Sequence, residues 1–285
     1  APCKMIFATL SSGYLVGGFN NPVPVRENQI FGPEKVTSFE AGLKADWDIG
    51  GQPLRTNIAI FYGDYRGQQR KTNFVVVGGT GYGAVENAGS TRFYGVDTDI
   101  TFKPFDILTL NASYSYLSSK YTNYVAALPT IIQASLDISG QQASQAPKHI
   151  LTADATLDVP IPDEMGELSA TLSYFWRSKT RSKDAPTIDG VCADGSSVCN
   201  APGSFIPNPA LDFTQYELLP SFGLLNLSIN WDEIAGTGFG AEFFVKNLTD
   251  KVYFTSSSNQ AIGLGVASFA LGDPRTYGFR LRYSF

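Results

Sequence analysis

Along the last nine positions of the chain apolar and polar side chains alternate without a break. Tyr277, Phe279, Leu281, Tyr283 and Phe285 fall between Gly278, Arg280, Arg282 and Ser284. A period of two is the mark of a β-strand with unlike faces. One face carries two arginines and must meet water; the other is aromatic up to the final residue. The same pattern recurs upstream. Phe39, Ala41, Leu43, Ala45 and Trp47 alternate with Glu40, Lys44 and Asp46. Leu54, Ile58, Ile60 and Tyr62 oppose Arg55 and Asn57, and Tyr94, Val96, Ile100 and Phe102 oppose Asp97 and Asp99. Leu108, Leu110, Ala112, Tyr114 and Tyr116 alternate with Thr109, Asn111, Ser113 and Ser115. Further segments begin at Met5, Lys148, Leu168, Leu225 and Phe239, so the pattern predicts about ten strands.

The connections between them alternate in length. Short ones fall near Gly50-Gly51, Pro104 to Asp106, Pro160 to Gly166 and Asp232 to Thr237. Long ones span about Leu15 to Lys35, Gly67 to Ser90, Lys120 to Pro147, Lys179 to Gln215 and Lys251 to Leu271. Trp47, Phe102, Phe105 and Trp231 fall near the short turns, and Tyr62, Tyr94, Tyr116 and Trp176 near the long loops. Short turns at one end, long loops at the other and an aromatic girdle at each describe a transmembrane β-barrel of the outer-membrane type.

Composition sharpens this. Of 285 residues 43% are hydrophobic and only 16% charged, against about 25% charged in soluble domains. Mean hydropathy is nevertheless −0.05. No apolar run reaches the roughly 18 residues of a spanning helix. In lipid only helices and closed barrels satisfy their own backbone, so a chain without spanning helices points to a barrel. Net charge is −5 with no basic stripe, which argues against nucleic acid as a partner. Cys192 and Cys199 bracket a short polar stretch without histidine, which favours a loop disulfide over a metal site. Cys3 is left without a role.

Three features resemble catalytic or cofactor motifs. Gly79, Gly81 and Ala84 match the spacing of a dinucleotide fingerprint, but that motif must open a helix, and here a polar turn and a strand follow. His149, the only histidine, stands below a long loop with no nucleophile motif beside it, so it reads as a polar residue of the rim. Asp97 and Asp99 share one strand face and read as part of a hydrated lumen wall.

Several segments, in order, resemble TonB-dependent outer-membrane receptors. They are Phe7-Ala8-Thr9-Leu10-Ser11 through Gly17-Gly18-Phe19-Asn20, Phe31-Gly32-Pro33-Glu34 followed by Phe39-Glu40-Ala41-Gly42-Leu43-Lys44, and Asn87-Ala88-Gly89-Ser90 leading to Tyr94-Gly95-Val96-Asp97. Asn247-Leu248-Thr249-Asp250-Lys251-Val252-Tyr253 and Gly272-Asp273-Pro274-Arg275-Thr276-Tyr277-Gly278 complete the series. Leu10, Ser12 and Asp97 depart from the residues usual in that family.

The resemblance implies that residues 1–285 are the C-terminal portion of a 22-stranded barrel, with the plug domain and N-terminal strands lying outside the chain. It implies active import of a scarce solute, such as a ferric siderophore, across the Gram-negative outer membrane. Its partners would be the TonB-ExbB-ExbD system acting on the plug, outer-membrane lipid, and the barrel assembly machinery reading the terminal Phe285. No cofactor and no enzymatic step are expected. Tyr65, Tyr82, Tyr124 and Phe205 are candidates for ligand contact because aromatic residues on loops often bind. A self-contained barrel acting as a diffusion porin, a surface hydrolase built on His149, and a soluble β-sandwich are the competing readings.

Overall fold

The computed structural model describes residues 3–20, 29–75, 81–87, 89–127, 135–184, 188–193, 205–260 and 265–284. Ten long strands form its frame: β1 (Lys4–Leu15), β2 (Glu34–Ile49), β3 (Gln52–Arg66), β4 (Ser90–Phe105), β5 (Leu108–Asn123), β6 (His149–Val159), β7 (Glu167–Arg177), β8 (Phe222–Asp232), β9 (Phe239–Lys246) and β10 (Thr276–Tyr283). Each pairs antiparallel with the next in one ten-stranded sheet. Its edges, β1 and β10, do not pair with each other, so the sheet is an open arc of wall rather than a closed barrel.

The register places like faces together. On one face Phe39 lies opposite Tyr62, and Tyr62 opposite Tyr94. On the same face Leu172 lies opposite Leu227, Leu227 opposite Val245, and Val245 opposite Tyr277. Most of this row is open among the described residues: Ile60 is 55% exposed, Leu172 43% and Phe279 63%, while Val245, at 8%, is covered by its neighbours. A sandwich would have buried them; a barrel wall leaves them for lipid. The other face is polar and laced across strands. Arg55 donates to Asp46 at 2.7 Å, Ser113 to Asp99 and Ser115 to Asp97 at 2.6 Å each, and Arg282 to Asp232 at 2.8 Å. Arg280 pairs with Glu242 in the same band. Phe61 folds onto this face over Gly95, where an added Cβ would lie 2.5 Å from the ring and 2.0 Å from the Tyr116 carbonyl.

The ends of the sheet differ. The short connections are tight; Gly50 and Gly51 adopt φ of +64° and +88°, the left-handed pair of a two-residue hairpin turn. At the other end the strands rise well past the bilayer. β4 and β5 each have 16 residues, whereas crossing takes about 9–11. The long connections there contain their own hairpins, a structure that turn composition and length alone did not reveal. Gln69–Val75 pairs with Gly81–Asn87, Ile188–Cys192 with Phe205–Asp212, and Phe254–Gln260 with Val266–Leu271. A strand, rather than a helix, therefore follows the glycine run, and the dinucleotide fingerprint has no pyrophosphate-binding helix to open. Among the described residues, the largest fully buried side chains also lie at this end: Tyr121, Ile138 and Glu217.

Candidate functional site

The loop end holds the candidate residues, and they are held by two kinds of contact. The first is a set of side-chain-to-backbone ties along the rim. Asn87 accepts from the Gly32 amide at 2.5 Å and donates to the carbonyls of Gly32 and Gly67 at 2.9 and 2.8 Å. Glu34, 6% exposed, accepts from the Gln69 amide at 2.6 Å and from the Tyr65 hydroxyl. Asn247, 3% exposed with φ of +51°, donates to the carbonyls of Lys251 and Asp273 at 2.9 and 3.1 Å and accepts from the Lys251 amide at 2.8 Å. The Arg275 amide donates to Asp250 at 3.1 Å. The segments that carry the sequence resemblance are thus the ties of the rim: Asn87, Glu34, Asn247 and Asp250 satisfy backbone groups at and beyond the strand ends.

The second is an ionic core among the loops. Glu217 is fully buried; Arg181 meets it at 2.8 Å, Lys183 at 3.3 Å, and the Asn259 amide at 3.4 Å. Asp184 accepts from the Tyr121 hydroxyl and from the Ser144 amide at 3.2 Å, with Arg70 at 3.5 Å. Tyr121 and Tyr124 meet edge to face at 4.9 Å above the lipid-crossing part of β5. Burial raises the hydroxyl pKa of both, since the tyrosinate form would lose its water.

The aromatic candidates occupy different environments. Tyr65 is half-buried, and its hydroxyl is taken by Glu34. Tyr124 is 5% exposed, so its ring belongs to the packing of the loop rather than to the loop surface. Tyr82 and Phe205 lie in hairpin strands. Cys192 lies at the end of a hairpin strand, while Cys199 and Phe285 fall outside the described residues. Cys3 is exposed with its thiol free. His149 sits in the apolar row, its Nδ1 2.8 Å from the Tyr114 hydroxyl and its ring 5.2 Å from that of Tyr116. Those contacts belong to the girdle position that the sequence predicts for Tyr116.

Other residues of this end were not anticipated. Phe222 packs 4.5 Å from Tyr253 and 5.9 Å from Phe175, with the Arg177 guanidinium 4.6 Å from the Phe222 ring. Phe175, Arg177 and Phe222 share the polar, inner face just below the loops. Their signal was present as apolar residues out of phase with the outer row in β7 and β8. This ledge can stack a planar group and attract an anion. Among the described residues no cluster of three or more His, Cys, Asp or Glu could hold a metal.

The geometry has close counterparts among solved structures. The ferric yersiniabactin uptake receptor FyuA from Yersinia pestis superposes with a TM-score of 0.67 at 16% identity, over 99% of this chain and 35% of that one. The ferripyoverdine receptor of the Pseudomonas aeruginosa outer membrane gives 0.60 at 17% identity, over 99% and 31%. The copper transporter OprC gives 0.62 at 14% identity, over 99% and 37%. The chain thus spans about a third of the length of these proteins. At such identities the likeness concerns fold, and it covers the arc of wall and its loops. The family model described as TonB dependent receptor-like, beta-barrel matches residues 5–282, nearly the whole sequence. An open antiparallel arc, apolar outside, laced with polar pairs inside and tied by loops at one end only, is therefore a portion of a receptor barrel, and the chain belongs to the TonB-dependent receptor β-barrel family.

Proposed function

We propose that this chain forms the C-terminal part of the barrel of a receptor that imports a ferric siderophore across the Gram-negative outer membrane. The observation that carries this reading is the asymmetry of the sheet. One end has turns; the other has hairpin loops knitted around buried ions and aromatic residues, above a polar inner wall. Family membership supports energised transport, in which the TonB-ExbB-ExbD system acts through a plug domain held in the lumen. The ledge of Arg177, Phe222 and Tyr253 suits a chelate that is both anionic and partly planar. The copper alternative finds little in this part of the wall. Met5 and Met165, the only methionines, lie at the short-turn end, and His149 lies in the outer row. Outer-membrane lipid would cover the apolar face, and the barrel assembly machinery would receive the terminal strand.

The test is uptake of radioactive iron by cells whose other siderophore receptors are deleted, expressing the full-length receptor and offered hydroxamate, catecholate and phenolate chelates in turn. Uptake of at least one chelate, abolished when TonB is deleted, is expected. Influx that persists without TonB and extends to small sugars would establish a diffusion pore instead.

A further inference from the structure

The outer, apolar row of the ten strands carries few cations, and their placement is uneven. Lys4 lies at the short-turn end, over the ring of Trp47. The others are Lys35, Arg66, Arg92 and Lys120, one on each of the consecutive strands β2 to β5. The outer row of β6 to β10 has no lysine or arginine. All four of the cations on β2 to β5 are exposed, and all stand at the loop end, beyond the aromatic row of Phe39, Tyr62 and Tyr94. The register sets Lys35 directly opposite Arg66, and Arg92 directly opposite Lys120. Like charges directly opposite on paired strands repel, and here two such pairs lie on neighbouring hairpins. Asp64 is the one carboxylate in this outer row; it lies 3.4 Å from the Arg92 Nε and accepts from the Tyr62 hydroxyl at 3.4 Å. Four cations therefore face one acid. Toward the bilayer the surface turns apolar, and Leu10, Phe39 and Tyr62 line a groove together with Lys35 and Arg66.

We propose that this patch binds a phosphorylated lipid of the outer leaflet, its headgroup phosphates among Lys35, Arg66, Arg92 and Lys120 and an acyl chain in the groove over Leu10 and Phe39. The proposal rests on the reading that lipid covers the apolar row and that the loop end faces the medium. The heights agree with it. A strand rises about 3.3 Å per residue and tilts by about 40° in a barrel wall. Arg92 and Lys120 stand two residues beyond the level of Tyr94, hence about 5 Å above the rings. Lys35 and Arg66 stand four residues beyond Phe39 and Tyr62, hence about 10 Å above them. The polar layer of a bilayer is about 5–8 Å deep on each side, and long basic side chains can bend back into it. Phosphate at that level relieves the repulsion within both pairs. The apolar groove directly below makes a lipid, rather than a free anion, the occupant that satisfies charge and surface together.

Titrating the full-length receptor, purified in detergent and stripped of native lipid, with diphosphorylated lipid A tests this; native mass spectrometry reads the lipid retained. Binding is expected to weaken by about tenfold when both phosphates are removed from the lipid. Lys35→Gln with Arg66→Gln, and Arg92→Gln with Lys120→Gln, should each weaken it by about the same factor. Lys4→Gln, on the same face at the other end, should leave it unchanged. Binding that ignores the phosphates, or that survives both pairs of substitutions, would overturn the site. Inorganic phosphate binding as tightly as the lipid would replace it with a simple anion site. A second measurement separates binding from folding. Melting in lipid-free detergent should be unchanged or raised in the fourfold variant, since like charges are relieved; a fall would assign the four cations a structural role instead. No transport is read, so failure here leaves the import proposal standing, and failure of import leaves this site standing.

Discussion

At the scale of single residues, the face a side chain occupies decides what a substitution does. Leu172 and Leu227 lie opposite each other in the apolar row, while Thr171 and Ser228, one position away, lie opposite each other in the polar one. Leu227→Arg or Leu172→Arg should destabilise the receptor by about 2–4 kcal/mol, because the charge enters lipid near the middle of its strand. Ser228→Arg and Thr171→Arg should be far milder. Urea-dependent refolding of the full-length protein into lipid vesicles measures the difference, and equal damage in both pairs would refute the assignment of faces. Asn247→Ala removes three hydrogen bonds at a buried site and should cost about 1–3 kcal/mol. Its first sign should be faster proteolysis between residues 248 and 275.

Tyr121 and Tyr124 add a pH dependence. Their folded-state pKa values are raised above the ordinary 10.0, chiefly by burial. Below pH 10 both states are protonated and the contribution of these rings is complete. Above it the unfolded loops release the protons first, so stability falls as pH rises. Ultraviolet titration should show tyrosinate appearing together with protease sensitivity of the 121–145 connection. Titration of both rings near pH 10 with the connection still protected would contradict this.

At the scale of elements, the hairpins matter most. Ile188–Cys192 and Phe205–Asp212 form a two-stranded arm whose tip lies beyond the described residues. We expect a Cys192–Cys199 disulfide to close that tip. The enclosed loop is short, so the entropic gain should be below the roughly 3 kcal/mol of a 15-residue loop. Intact-mass measurement with and without reductant decides; two alkylatable thiols in oxidised protein would reject the bridge. The terminal strand β10 completes the outer row, with Phe279 opposite Phe243 and Tyr283 opposite Phe239. Deleting Phe285 should lower outer-membrane levels strongly while leaving the melting of refolded protein nearly unchanged, because recognition during assembly would be lost rather than packing.

At the scale of the whole molecule, orientation follows from the unequal ends. The knitted loops should face the medium and the turns the periplasm. Lys120→Cys, at an exposed site on the loop side, should react with a membrane-impermeant thiol reagent on intact cells, in a background lacking the native cysteines. Asp163→Cys, in the short turn between β6 and β7, should react only after lysis. The reverse pattern would invert the topology. The open edges of β1 and β10 present unpaired backbone, which explains why this arc calls for further strands to close it.

The ten wall strands, their faces and the alternation of short and long connections were legible in the chain itself. A period of two is a local property of extended backbone, and Leu227 beside Ser228 declares inside and outside without reference to any neighbour. The rim ties were visible only as segments resembling a family; nothing local shows that Asn87 would bridge Gly32 and Gly67. The ionic core was not legible at all. Arg181, Lys183, Asp184 and Glu217 sit in long polar stretches, where isolated charges read as solvated. Tyr124 likewise read as an exposed loop aromatic, yet it lies buried against Tyr121. Burial there arises from loops separated by tens to more than a hundred residues in sequence coming together above the barrel. Only the tertiary structure, by seating Glu217 between Arg181 and Lys183 and removing all of them from the reach of bulk water to different degrees, decided which charges hold the loops together.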